Sequence, residues 1–165
     1  VSAAVARVLG AAATLLFTAA CGAVDLEAER QALLAQHEVD KQAHLDGLVE
    51  PIMASIGDEL ITVYDGRVAT EGRDEIETFF SGYLAGARYS EYADIDPPIV
   101  RVSRDGTTAW MIVRQRIRRT EPDSAGTTRE RAFIYAGIMT YEKRDGRWTK
   151  VANVSTFERP AAASE

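Results

Sequence analysis

The sequence predicts an α+β fold in which N-terminal helices pack on a strongly twisted antiparallel sheet. Three observations lead there. Residues 25–46 and 73–85 repeat apolar side chains at helical spacing. Everything after Arg88 is rich in β-formers. Asp-Gly pairs at 65–66, 105–106 and 145–146 punctuate the strand-forming sequence, and such pairs suit tight turns between antiparallel neighbours. Helical and extended stretches that segregate, rather than alternate, are the mark of an α+β order.

The elements follow in chain order. Asp25 suits a helix N-cap, with Glu27 and Glu29 near the positive end of the dipole. The helix it opens runs to about Asp46, and Leu26, Leu33, Leu34, Leu45 and Leu48 fall in a stripe about 120° wide. Gly47 breaks it, and Pro51 fits the first turn of a short second helix, Pro51–Ile56, which Gly57-Asp58 ends. Residues 59–70 form a hairpin about Asp65-Gly66. Helix returns at Arg73–Ala85, where Ile76, Phe79, Phe80, Tyr83 and Leu84 share one face, and Gly86 stops it. Strands then cover Tyr89–Ile95, Ile99–Ser103 after a Pro97-Pro98 bend, Thr107–Arg119, Arg129–Lys143 and Arg147–Glu158. Residues 25–158 thus read as one domain, and the Pro/Ala/Ser-rich 159–165 as a frayed tail.

Composition excludes several classes. With 25 acids against 19 bases the formal charge is −6, which offers no broad basic surface for nucleic acid. One cysteine closes no intrachain disulfide. Residues 1–20 read as an export signal: Arg7 is their only charge, and Val8–Ala20 is an apolar run ending in small residues. The run is shorter than the roughly 20 residues of a membrane-spanning helix. Cys21 follows directly, so Thr18-Ala19-Ala20-Cys21 resembles a bacterial lipobox, which implies lipidation of Cys21 and anchoring at the cell envelope. A plain export signal is the alternative.

The order of elements resembles the nuclear transport factor 2-like superfamily, in its SnoaL-like and ketosteroid-isomerase-like branch. The stretches that carry the resemblance are AHLDGLVEPIMASI, DELITVYDGRV, EIETFFSGYL, IDPPIVRVSRDGTTAW and YEKRDGRWTKVANVST. It implies a curved sheet wrapped around the helices to make a cone with a pocket at its open end. The superfamily hosts enzymes, binding modules and assembly domains, so the fold does not license a function.

Candidate chemistry is sparse. His37 and His44 are the only histidines and sit seven apart, on one face of the first helix. Asp40 lies one turn before His44 and is placed to orient its imidazole, which makes His44 and Asp40 the candidates for acid–base work. The alternative is that both histidines are structural. Two zinc-binding histidines usually sit four apart on a helix, so no metal, and no other cofactor, is expected. Along Thr107–Arg119, alternation assigns Ala109, Met111, Val113, Gln115 and Ile117 to the cavity, and Trp110, Ile112, Arg114, Arg116 and Arg118 to the outer face. On the last strand the two faces are comparably apolar; an inward Asn153 would need a partner or a ligand.

Two functional readings result. In the first, the cone binds a small, partly apolar molecule, lined by Tyr64, Tyr83, Tyr89, Gln115, Tyr135 and Asn153. In the second, the cone is filled, and an outer-sheet patch around Trp110 binds a second copy or another partner. A homodimer is expected under either. A hollow of about 300 Å³ or more separates the two.

Overall fold

The computed structural model describes residues 23–158. Helix α1 (Leu26–Asp46) begins where Asp25 caps it, its carboxylate accepting the backbone N–H groups of Glu27 and Ala28 at 3.1 and 3.0 Å. It ends at Gly47, whose φ of +69° is left-handed backbone that a residue without Cβ adopts freely. Helix α2 (Val49–Ala54) is displaced from the expected Pro51–Ile56. Pro51 still lies in its first turn, but Ile56 already belongs to β1 (Ile56–Tyr64), so Gly57-Asp58 does not end a helix. Gly57 lies in that strand, where a Cβ would stand 3.0 Å from the Thr149 methyl.

Strand β1 turns into β2 (Arg67–Gly72) through Asp65 and Gly66, both at positive φ, as a type I′ turn requires. Helix α3 (Arg73–Ala85) follows at once, with the Glu75 carboxylate reaching back to the Gly72 N–H at 3.0 Å. Strands β3 (Arg88–Asp94), β4 (Ile99–Val102), β5 (Thr108–Pro122), β6 (Thr128–Arg144) and β7 (Arg147–Glu158) complete the chain. The sheet runs β2-β1-β7-β6-β5-β3, and β4 pairs with the other half of β5 across the Pro97-Pro98 bend.

The strands from β3 onward pair antiparallel as expected. The N-terminal hairpin joins differently: β1 lies parallel to β7. A hairpin returned to the sheet by its first strand beside the chain's last one is a long-range pairing that no local pattern signals. The whole is a curved, unclosed sheet with the helices in its concavity.

Two apolar clusters occupy the concave side. Leu33 of α1 meets Val100, Met111, Val113, Tyr141 and Trp148 in one. Ile52, Met53, Leu60, Ile76, Leu84 and Ile117 make the other, between α2, α3 and the sheet. Glu29 pins the start of α1 by accepting from Trp148 Nε1 at 2.9 Å and pairing with Lys143. The leucine stripe is only partly the buried face: Leu33 is enclosed, whereas Leu26 and Leu48 are exposed. The residues of α1 that do face the sheet include Leu33, His37, Ala43 and His44.

Candidate functional site

Between α1, α3 and the concave sheet lies a cavity of about 340 Å³. Its outer rim is aromatic and exposed, formed by Tyr64 of β1, Phe79 of α3 and Phe157 of β7. Phe80, Tyr83, Phe133, Ile76, Leu60 and Ile117 make the walls. Its buried end is polar, with Asp40 and His44 from α1, Lys150 from β7 and Gln115 from β5.

The inner charges come in opposed pairs. Lys150 Nζ donates to Asp40 Oδ2 at 2.8 Å, and both side chains are nearly enclosed, at 11% and 13% exposure. Burial works against the Lys150 charge, but the Asp40 carboxylate outweighs it and pushes the pKa above the usual lysine range. The second pair is Lys41 with Asp94, at 2.7 Å. Asp94 also accepts from Gln115 Nε2 at 3.1 Å and meets His37 Nε2 at 3.0 Å. Burial raises its carboxyl, yet the bonds from Lys41 and His37 win and hold it below its ordinary value. An acid at the end of a strand is thus the clasp between α1 and the sheet.

His44 is not oriented by the Asp40 carboxylate. Its Nδ1 lies 2.7 Å from the Asp40 backbone carbonyl oxygen, one helical turn back, because the carboxylate is committed to Lys150. The ring stacks on Tyr92, with centroids 4.4 Å apart, and meets Phe80, Tyr83 and Tyr89 edge-on. Burial lowers its pKa from 6.5, despite the raising effect of Asp40, so the imidazole is held toward its neutral form.

The other proposed lining residues divide. Tyr64, Tyr83, Gln115, Tyr135 and Asn153 face the cavity. Tyr89 is not among the lining residues: it is packed behind them, its hydroxyl accepting from Arg119 at 2.9 Å. Asn153 finds its partners within the protein. Its Oδ1 accepts from the Tyr135 hydroxyl at 3.0 Å, and its Nδ2 donates to Ser155 Oγ at 2.9 Å. Tyr135 leans over Gly137, where a Cβ would collide with its hydroxyl and stand 2.8 Å from the Val154 carbonyl oxygen.

On β5 the alternation holds: Ala109, Met111, Val113, Gln115 and Ile117 are buried, while Ile112, Arg114, Arg116 and Arg118 are exposed and Trp110 is half-buried. The outer arginines meet carboxylates, Arg114 with Asp96 and Arg118 with Glu91 and Glu130.

Lys150 was missed by sequence reasoning. On β7 the register slips between Thr140 and Tyr141 of its partner β6, with Ala152 opposite the first and Lys150 opposite the second. Val151 is the extra residue of this bulge. Trp148 and Lys150 face the concavity before it, and Asn153, Ser155 and Phe157 after it. The available signal was the one lysine of the strand, set between Trp148 and the valines of WTKVANV.

No family model matches the chain, and no curated protein matches its sequence. Solved structures do. A ketosteroid isomerase-like protein from Erwinia carotovora atroseptica superposes with a TM-score of 0.62 at 15% identity, over 80% of this chain and 98% of that one. An NTF2-like protein from Rhodospirillum rubrum gives a TM-score of 0.60 at 18% identity, over 77% and 98%. Another, from Cytophaga hutchinsonii, gives 0.59 at 19% identity, over 77% and 96%. The chain has an NTF2-like fold. At such identities the likeness concerns the fold alone. What this NTF2-like cone does must be argued from its own side chains.

Proposed function

We propose that this NTF2-like chain is a SnoaL-like domain that binds a small, partly apolar molecule in its cone. One observation carries the reading: the cone is hollow, with about 340 Å³ of space bounded by an aromatic rim and a polar end. Ligand sites typically combine that order of volume with apolar walls and a few placed polar groups. The binding is tested with the neutral fluorophore N-phenylnaphthylamine. The wild-type chain should enhance its emission saturably. Ser155→Trp, which puts a bulky ring at the cavity wall, should abolish the enhancement while the melting temperature is kept. Absence of saturable binding by the wild type, or undiminished binding by a folded Ser155→Trp variant, overturns the reading.

The protein is further proposed to be exported and held at the bacterial cell envelope by lipid on Cys21. This rests on the apolar run Val8–Ala20 and on the position of the lone cysteine, both outside the described residues. More than one acyl chain would make the attachment stable. Cys21→Ser should move the protein from the membrane fraction to the soluble one; unchanged retention refutes the anchor.

One observation on the outer face favours a second, compatible reading, a homodimer through the sheet. Val68, Val63, Val154, Ile138, Ile112 and Ile99 stand opposite one another from β2 through β1, β7, β6 and β5 to β4. Trp110 lies two residues along β5 from Ile112, on the same face as that row. An exposed apolar stripe of this extent is typical of an association surface. Ile112→Glu should convert a dimer to a monomer in sedimentation; a wild-type monomer at high concentration would dismiss it.

A further inference from the structure

Several of the cavity's polar groups satisfy one another, and one fully buried atom left without a partner is informative. Gln115 is tied to Asp94, and Asn153 to Tyr135 and Ser155. Asp40 gives one carboxylate oxygen to Lys150, while its Oδ1 is buried and accepts no hydrogen bond. A buried acceptor left unpaired is costly, so a ligand donor there is strongly rewarded. Beside it, the Lys150 ammonium carries three N–H donors, of which Asp40 takes one. An unpaired acceptor and a donor group therefore stand next to each other at the enclosed end.

The two charges also cancel. Asp40 and Lys150 form one neutral pair, while Lys41 is shared between Asp94 and Glu38, and Glu71 adds a further carboxylate to the lining. An anionic ligand therefore finds no spare cation here, and its desolvation goes uncompensated. Toward the opening, Phe79, Phe80, Tyr83, Phe133 and Phe157 supply aromatic surface suited to a flat apolar body.

We propose that the Asp40–Lys150 pair is the ligand-recognition device of the cone. It selects a molecule without an anionic group, with a flat apolar body and a head that offers a hydrogen-bond donor and an acceptor side by side. A primary amide, a lactam or a hydroxy-ketone fits; a carboxylate does not. This assignment rests on the binding reading given above.

Isothermal titration of the full chain with naphthamide, naphthoate and acetonaphthone tests it, since these probes share a body and differ in the head. Naphthamide should bind about tenfold more tightly than either, the worth of one charge-assisted hydrogen bond. Asp40→Asn leaves the Lys150 cation unbalanced and should turn the preference to naphthoate. Should that variant not fold, the doubly neutral Asp40→Asn/Lys150→Met should fold and lose the amide preference. Equal affinities for the three probes, tightest binding of naphthoate by the wild type, or an amide preference that survives in the double variant overturns the assignment. If the neutral fluorophore binds and naphthamide has no advantage, only the role of the pair fails. If neither fluorophore nor probes bind, the cavity reading fails with it.

Discussion

The two ends of the concave face use the same strands and come out differently. Under the first half of α1, Leu33, Met111 and Val113 are fully buried, Trp148 and Tyr141 close around them, and Glu29 ties the helix down. Under the second half, α1 meets the sheet through Asp40–Lys150 and through Lys41, His37 and Asp94. Apolar side chains exclude space as they pack, whereas an ion pair can hold two elements together beside a void. The hollow of the cone therefore opens where ion pairs join the packing between helix and sheet.

That contrast can be broken in order of expected effect. Lys150→Met strands the Asp40 carboxylate in the interior and should cost about 3–5 kcal/mol in urea unfolding. Adding Asp40→Asn should restore most of it. A loss below about 1 kcal/mol for the single variant would mean that the pair is solvated and does not span a dry gap. At the filled end, Leu33→Ala should cost about 2–5 kcal/mol by leaving a cavity. Binding of the neutral fluorophore by the remaining folded protein should not change, because Leu33 does not line the hollow.

Gly137→Ala sharpens the comparison from the sheet side. The new methyl group must displace Tyr135, at about 1–3 kcal/mol, and should weaken fluorophore binding as well. Stability lost with binding intact would place Tyr135 outside the site. The smallest effect is a pH dependence. The His44 pKa is lowered in the fold by burial, so the unfolded chain binds its proton more readily. The contribution is present above the unfolded value of 6.5 and is lost as pH falls below it. His44→Phe should flatten the stability profile between about pH 8 and about pH 5. Asp94 acts in the same sense further down, losing its contribution as pH falls below its ordinary 3.8. A profile unchanged by His44→Phe would show that the imidazole is not desolvated.

Much of this was legible in sequence, and the failures have specific causes. The Asp25 cap, the Asp65-Gly66 turn, the aromatic face of α3 and the alternation of β5 each depend on neighbours a few residues apart, and each is seen in the structure. The partner of β1 depends on residues some ninety positions away, where no local pattern reaches. Lys150 was hidden by the bulge at Val151, since one extra residue reverses the inward and outward assignment of everything beyond it. Asp94 was hidden because a carboxylate at the end of a strand looks solvated until the helix above it supplies Lys41 and His37. Tyr89 does face inward on β3, but Arg119 donates to its hydroxyl and it packs behind the lining aromatics, a contact thirty residues away in sequence. The expected Asp40 carboxylate–His44 contact is absent for a similar reason: that carboxylate accepts from Lys150, and the imidazole meets the Asp40 backbone oxygen instead.

The parallel seam between β1 and β7 sets an order of assembly. Strands near the middle of the sequence can zip by neighbouring turns, but the N-terminal hairpin has no place to dock until the last strand has been laid down. Closing so large a loop is entropically expensive, and contacts of that separation slow folding. A nascent chain that stops before Arg147, and so lacks β7, would present two bare strand edges at once, one on the hairpin and one on the meander. The hollow between helices and sheet is thus the last part of the molecule to exist.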